Sequence, residues 1–581
     1  MVLLARARAP ILVWNLLGGL ASMTIRRIAI LALLALASTT ARAQTPASLA
    51  AQSQQLASGP RNVDPASIRF EIAVPSTAHS TPITGRIYVM LSKTAQPEPR
   101  TTIGRLGTPF FGHDVERLAP GTAAAITAAD LGHPVWDMRD IPAGDYYAQA
   151  FVNVYSEFKR ADGHTVWLHD DQWEGQNWSR SPGNVYSDAQ KIHFDPAKPF
   201  RVRLEATHVV PPIAPLADTR FVKRFKLQSP MLTKFWGRPI YLGATVLLPR
   251  DYETSTISYP ILYNQGHFST AAPLRFQEDG GNAASQDWLR DDFPRVIVAT
   301  FQHPAPYFDD SYAVNSANVG PYGDAIMQEL IPEIEKRYRV IKEPWARWLD
   351  GGSTGGWESL ALQVFHPDFF GGTWSYCPDP VTFSDVEGIN AYKDKNAFWK
   401  DFEWYREPTI NSRELDYSPR QTSQQRNYME LVNGTKGRSG TGQLDIWSAV
   451  YGPVGKDGYF QPLLDKTTGV IDPTVAQYWK DNFDLLEHLK RNWNTLGPKL
   501  VDKIHVYIGD ADTYQLDRAT RELEKWMKAT QNPHYEGFFM WGDGKPHCWS
   551  GPGTATDRIR DMAKHAIAHR PEGVTTPWWR Y

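Results

Sequence analysis

Ala346-Arg347-Trp348-Leu349-Asp350-Gly351-Gly352-Ser353-Thr354-Gly355-Gly356 is the stretch on which the fold turns. Residues 346–349 read as a short strand, and residues 355–365 beyond the glycines read as a helix. Gly351 to Gly355 match the pattern G-x-S-x-G. With a strand running straight in and a helix straight out, that pattern is a nucleophile elbow. Glycines on both flanks permit a strained turn that lifts the serine Oγ above the sheet. The helix N-terminus behind it places N–H groups and a positive dipole end where an oxyanion forms. The plain alternative is a Gly-rich turn with an incidental serine, and the strand-helix context argues against it.

Outward from the elbow the alternation continues. Residues 240–248, 259–263 and 296–301 read as strands, the last a continuous apolar run suited to a strand buried on both faces. Residues 324–338 carry Ile326, Met327, Leu330, Ile331 and Ile334 at helical spacing. Strands at 504–508 and 535–540 enclose a helix at 516–527. The expected fold class is α/β, a doubly wound and mostly parallel sheet of the α/β-hydrolase type.

A serine hydroxyl needs a base, and the base an orienting carboxylate, in the chain order Ser, Asp, His for this architecture. The strand at 503–508 ends in Gly509-Asp510-Ala511-Asp512, so Asp512 and Asp510 both qualify as the acid. Among 16 histidines, His547 lies on the Gly/Pro loop after the last strand, where the base belongs. The oxyanion donors should be the N–H of Thr354 and one from the loop after the third strand. That loop is Asn264-Gln265-Gly266-His267-Phe268, where Gly266 allows close backbone approach and His267 is the candidate.

The chain has 581 residues, 42% of them hydrophobic, which suggests two or three domains and excludes general disorder. Lys and Arg number 61 against 63 Asp and Glu, so no basic excess marks a nucleic-acid binder. Two cysteines exclude a disulfide scaffold, and no CxxC or HExxH pattern appears. No metal or organic cofactor is called for. Met23-Thr24-Ile25-Arg26-Arg27, the apolar run at 28–38 and Ala41-Arg42-Ala43 together read as a secretory signal peptide. The run is about half of what a bilayer span requires, so the expectation is a secreted or periplasmic protein without stable membrane insertion. Residues 1–22 read as an upstream extension, with an anchor over 12–20 as the alternative.

The expected organisation is therefore an extension and signal peptide at 1–43, a flexible leader at 44–64, a β-rich module at 65–215 and the hydrolase domain at 216–581. The module shows β-branched or alternating runs at 69–74, 85–91, 146–155 and 200–204, reads as β-sandwich-like, and exits through the proline-rich 209–215. Residues 378–500 form an insertion, polar, aromatic and irregular, positioned to cap Ser353. Part of the chain's 21 tryptophans falls there. Trp399, Trp404 and Trp447 are candidate pocket rings, the alternative being that they pack the cap's own core. Lys436-Gly437-Arg438-Ser439-Gly440 reads as a solvated basic loop, the alternative being that it holds an anionic group of the substrate. Cys377 ends the strand after the elbow helix and Cys548 adjoins His547. A bridge between them is one reading, two free thiols the other.

These segments resemble the esterase D-like family, which includes the enterochelin-esterase-related secreted hydrolases. The carrying motifs are residues 260–268, Pro321-Tyr322-Gly323-Asp324, residues 351–380, residues 509–516 and Gly544-Lys545-Pro546-His547-Cys548-Trp549-Ser550-Gly551, within a span of about 218–551. The resemblance implies a Ser353, Asp512, His547 triad and so prefers Asp512 over Asp510. It implies a serine esterase acting on a small-molecule or polysaccharide-linked ester, such as a siderophore ester or an aryl or acetyl ester on plant polysaccharide. Acyl transfer to a sugar hydroxyl is the related alternative. A non-catalytic, aromatic-rich glycan-binding protein is the alternative of another class. The 378–500 insertion departs from simpler members of the family.

Overall fold

A computed structural model describes residues 63–579. The signal peptide expected at 23–43 and all but the end of the leader lie outside the described residues.

The elbow sits in an eight-stranded sheet built from β1 (Val222–Gln228), β2 (Tyr241–Leu247), β3 (Ile261–Gln265), β4 (Ile297–Gln302), β5 (Arg347–Gly352), β6 (Gly372–Tyr376), β7 (Ile504–Gly509) and β8 (Phe538–Gly542). Their spatial order is β1-β2-β4-β3-β5-β6-β7-β8. β2 pairs antiparallel with β1 and β4, and every later pairing is parallel. The chain is thus α/β. All six residues of β4 are buried, as befits a strand with helices on both faces. Helix α1 (Thr354–Phe365) leaves the elbow and is buried along nearly its whole length, which is why its sequence shows no amphipathic stripe.

The parallel register brings the ends of five strands to one edge. Gln265 pairs with Gly351, Gly352 with Tyr376, and Gly509 with Gly542. The loop at 266–268, Ser353, Cys377, the Asp510–Asp512 loop and the His547 loop therefore all leave the sheet on the same side, where ligands of open α/β sheets bind.

The insertion is more regular than its composition suggests. It holds α2 (Ser423–Asn433), α3 (Gln443–Tyr451), α4 (Pro473–Asn482) and α5 (Leu485–Leu500), with two short hairpins. Thr422 and Gln425 close a capping box at α2, and Asp484 caps α5. Two further helices follow, α6 (Leu516–Ala529) and α7 (Ala555–His569).

Ahead of this sheet, a three-stranded sheet and a second eight-stranded one share a core. Ile68–Ala73 pairs with Phe200–Glu205 and Ala123–Thr127 in a three-stranded sheet, while Ile83–Ser92 and Gly144–Lys159 centre the larger one. Ile68, Phe70 and Ile72 pack with Ile87, Val89 and Leu91 at the period of two that strands impose. Ile83–Ser92 is buried on both faces because its second face lies against the cap. Tyr88 stacks on Trp178 at 4.2 Å. The Arg86 guanidinium donates to the carbonyls of Val432 (2.9 Å) and Leu431 (3.0 Å) in the last turn of α2. A cation there satisfies carbonyls that have no intrahelical donor and complements the helix dipole.

The 436–440 loop also differs from expectation. Lys436 pairs with Asp457 at 2.6 Å, and Arg438 pairs with Glu116 at 3.1 Å and donates to the Trp167 carbonyl. It is pinned to the β-module and not a solvated basic loop.

Candidate active site

Ser353 caps the N-terminus of α1 with φ 58°, a conformation side chains rarely adopt and a reserve of strain held by its surroundings. Close packing at Gly355 supplies that hold. A Cβ there would meet the Gln265 carbonyl oxygen at 2.2 Å, so only glycine lets the elbow lie against the start of the loop at 266–268. Thr354 opens α1, and the first N–H groups of a helix lack intrahelical acceptors. Across from it, the N–H of His267 has no protein acceptor among the described residues.

His547 Nε2 lies 3.0 Å from the Ser353 Oγ, and its Nδ1 lies 2.8 Å from Asp512 Oδ2. Asp512 is fully buried, and its other oxygen accepts from the Tyr514 N–H at 2.8 Å. Arg413, reaching in from a cap hairpin, donates to the Asp512 carbonyl (2.9 Å) and pairs with Asp517 (2.7 Å). Asp510 points elsewhere. Its carboxylate accepts from the Gly544 N–H at 2.7 Å and so fixes the turn that carries His547. The two acids the sequence left open thus occupy different places, one against the imidazole and one under its loop.

Sequence reasoning missed a third acid. Asp379 Oδ1 lies 3.4 Å from Ser353 Oγ, and its Oδ2 accepts from Tyr312 (2.6 Å), Thr354 Oγ1 (3.1 Å) and Gln443 (3.1 Å). Burial pushes its carboxyl up against those donors. The available signal was Cys377-Pro378-Asp379-Pro380, an acid between prolines at the carboxyl end of β6. Trp447 joins this group by donating its indole N–H to the Tyr312 hydroxyl. Trp404, by contrast, is 85% exposed on a hairpin turn, and Trp399 lies in the first strand of that hairpin. Neither ring bonds to or stacks on the Ser353 group, because that hairpin stands out from the cap.

The His267 imidazole sits between Asp309 (3.0 Å) and Asp310 (3.1 Å). Burial alone would lower its pKa, but the two carboxylates hold it as a cation. Behind the elbow, burial pushes the Glu358 carboxyl well above its usual range, so it stands neutral.

His547 is pulled in two directions. Burial disfavours its cation, while the hydrogen bonds and charges of Asp512 and of Cys548 outweigh that and raise its pKa. A general base must be neutral, so kcat/KM for an ester should rise with pH along a limb lying above the ordinary histidine value of about 6.5. Asp512→Asn, which removes the larger of the two raising partners, should move that limb to lower pH in a stopped-flow pH profile. A limb that stays in place would separate the titration from this pair.

Cys377 and Cys548 bring their sulfurs to 2.9 Å, one residue buried and one exposed. The Cys377 thiol and His547 together hold the Cys548 thiol below its usual range. Three clusters among the described residues gather enough donor atoms to hold a metal: this pair with His547, the His267–Asp309–Asp310 group, and Asp502 ahead of β7 with His565 and His569 of α7. The first two belong to the site itself.

Residues 241–445 match the family model described as "Putative esterase". No curated protein gives a significant match. Among solved structures, a ferulic acid esterase is 16% identical with a TM-score of 0.34, covering 59% of this chain and 98% of that one. An S-formylglutathione hydrolase from Agrobacterium tumefaciens is 12% identical with a TM-score of 0.34, covering 60% of this chain and 97% of that one. The fluorophosphonate-binding serine hydrolase F of Staphylococcus aureus is 14% identical with a TM-score of 0.30, covering 59% and 98%.

Proposed function

We propose that this chain, in which residues 241–445 are an esterase segment, is an exported serine carboxylic-ester hydrolase working through Ser353, His547 and Asp512. The observation that carries the reading is the in-line relay from Ser353 Oγ through both ring nitrogens of His547 to the buried Asp512. Ser353 Oγ attacks the ester carbonyl while His547 Nε2 takes its proton. The N–H groups of Thr354 and His267 receive the oxyanion, with the His267 cation close by. His547 returns the proton to the departing alcohol, leaving an acyl-enzyme. Water, activated by the same nitrogen, then releases the acid and restores Ser353. Asp512 keeps Nδ1 protonated and steadies the imidazolium through both halves. The substrate is a small-molecule or polysaccharide-linked ester.

The test is covalent. A fluorophosphonate probe should label the protein once, with the adduct mapping to Ser353; a labelled protein whose adduct lies elsewhere, or no label at all, would sink the reading.

Export would put Cys377 and Cys548 in an oxidising space, where loss of two electrons and two protons to glutathione disulfide closes a bridge between them. Protein isolated without reductant, then denatured and alkylated, should take up no label on cysteine. Reduction should lower activity more than it lowers the melting temperature, because the bridge would tie the His547 loop to β6. Two alkylated cysteines in unreduced protein would exclude the bridge.

A further inference from the structure

A cavity of about 320 Å³ opens where three parts of the chain meet. The β-module contributes Ile103, Arg105 and Phe110. The cap contributes Arg420, Gln421 and Arg426, and the acid loop contributes Tyr514. Tyr514 ties the cavity to the chemistry. Its ring meets the His547 imidazole edge-on at 4.9 Å, and its N–H donates to Asp512.

The lining contains three guanidinium groups and no carboxylate. Arg426 spends its Nε on Glu430 (3.2 Å), which also serves Lys466 (2.6 Å). Among the described residues Arg420 has one carboxylate partner, Glu414, at 3.9 Å. Arg105 has no carboxylate within 4.0 Å among the described residues, and its one side-chain hydrogen bond goes to the Arg420 carbonyl (3.0 Å). Two like charges therefore face a half-buried space with almost nothing to balance them, an arrangement that costs energy unless a guest supplies the counter-charge. Burial and the charge of Arg420 depress the Arg105 pKa by more than Glu414 raises it, which registers that cost. The Gln421 amide nitrogen is buried at the same wall without any hydrogen-bond partner. An unpaired buried donor points the same way as the free guanidinium groups. Planar forks of this kind match a carboxylate bidentately.

We propose that this cavity binds a carboxylate carried by the ester substrate, so that the enzyme selects anionic over neutral esters and the β-module supplies part of that selection through Arg105. The inference rests on the esterase reading of Ser353. It gives the module a function at the active site, beyond support of the cap.

Two substrate series test it, one for each side of the ester bond. The first pairs ω-carboxyacyl p-nitrophenyl esters with alkanoyl esters of equal length. The second pairs acetyl esters of ω-hydroxy acids with those of simple alcohols, followed by pH-stat. In at least one series, at its best chain length, kcat/KM for the anionic ester should exceed the neutral one by about tenfold or more, the scale of a charge-assisted hydrogen bond. The ratio should fall toward one in Arg105→Gln/Arg420→Gln, and Arg105→Lys should retain part of it. With wild type alone, raising NaCl from about 20 to 500 mM should erode the anionic rate and leave the neutral rate level. A ratio at or below one in both series at every length, or a preference indifferent to salt and to the double substitution, overturns the proposal. Neutral-ester hydrolysis that disappears in Ser353→Ala would then show the esterase reading still standing. Absence of any Ser353-dependent hydrolysis would instead remove that reading.

Discussion

Ser353→Ala is expected to abolish fluorophosphonate labelling and to lower kcat for a p-nitrophenyl ester by about 10,000-fold or more, with little change in melting temperature. The size follows from the geometry. Ser353 Oγ is the atom 3.0 Å from His547, and without it the attack must come from a water that no group positions. Residual catalysis would come from the oxyanion donors and binding alone. A factor of about 10,000 corresponds to roughly 5.5 kcal/mol of lost transition-state stabilisation. Alanine keeps the Cβ and inherits the same backbone, so the packing of Gly355 against the Gln265 carbonyl is untouched. The buried Asp379, 3.4 Å away, is the group to watch. If it served as a nucleophile in place of the serine, substantial turnover would survive, and a loss of less than about tenfold would refute the assignment of Ser353.

The second large effect separates two neighbouring acids. Asp512→Asn should cost about 1,000- to 10,000-fold in kcat, because the amide presents the wrong partner to Nδ1 and cannot stabilise the imidazolium. Asp510→Asn should cost less than about tenfold, its effect arising from a looser Gly544 turn. Circular dichroism and melting curves on both variants keep folding out of the comparison. Equal losses would mean that the loop's shape, and not the carboxylate facing the imidazole, sets the rate.

The contrast between these two aspartates shows where sequence reading stops. Both follow a strand-ending glycine, both are polar loop residues, and nothing local tells them apart. Only the path of the His547 loop, which brings Nδ1 to one and the Gly544 N–H to the other, does so. Ser353 was easier to read, since a strand, flanking glycines and a helix are all local signals. The α/β class was legible for the same reason, with β4 an apolar run and the strand-glycine-helix succession at β5 marking the elbow. Asp379 and Tyr312 escaped because their significance depends on a contact across 67 positions of chain. The cap helices were hidden differently. The nine residues of α3 include eight buried ones, so burial on all sides erased the periodicity that marks a surface helix. For α2 and α5 the signals were present, in Thr422 with Gln425 and in Asp484, but the surrounding aromatics and glycines masked them. Of the three cap tryptophans singled out, only Trp447 comes to the Ser353 group, since composition says how many rings an insertion has and not which way its hairpins turn.

The bond from Arg86 to the last turn of α2 carries a consequence for inheritance. The proline-rich stretch at 209–215 looks like a natural cut point, yet a chain beginning at 216 would leave Val432 without the Tyr88, Phe110 and Trp178 that cover it. It would also lose the Arg105 wall of the cavity beside His547. Recombination could not trade this β-module for another and keep the cap it serves. The two must be passed on together, as one selected unit spanning the linker that seems to divide them.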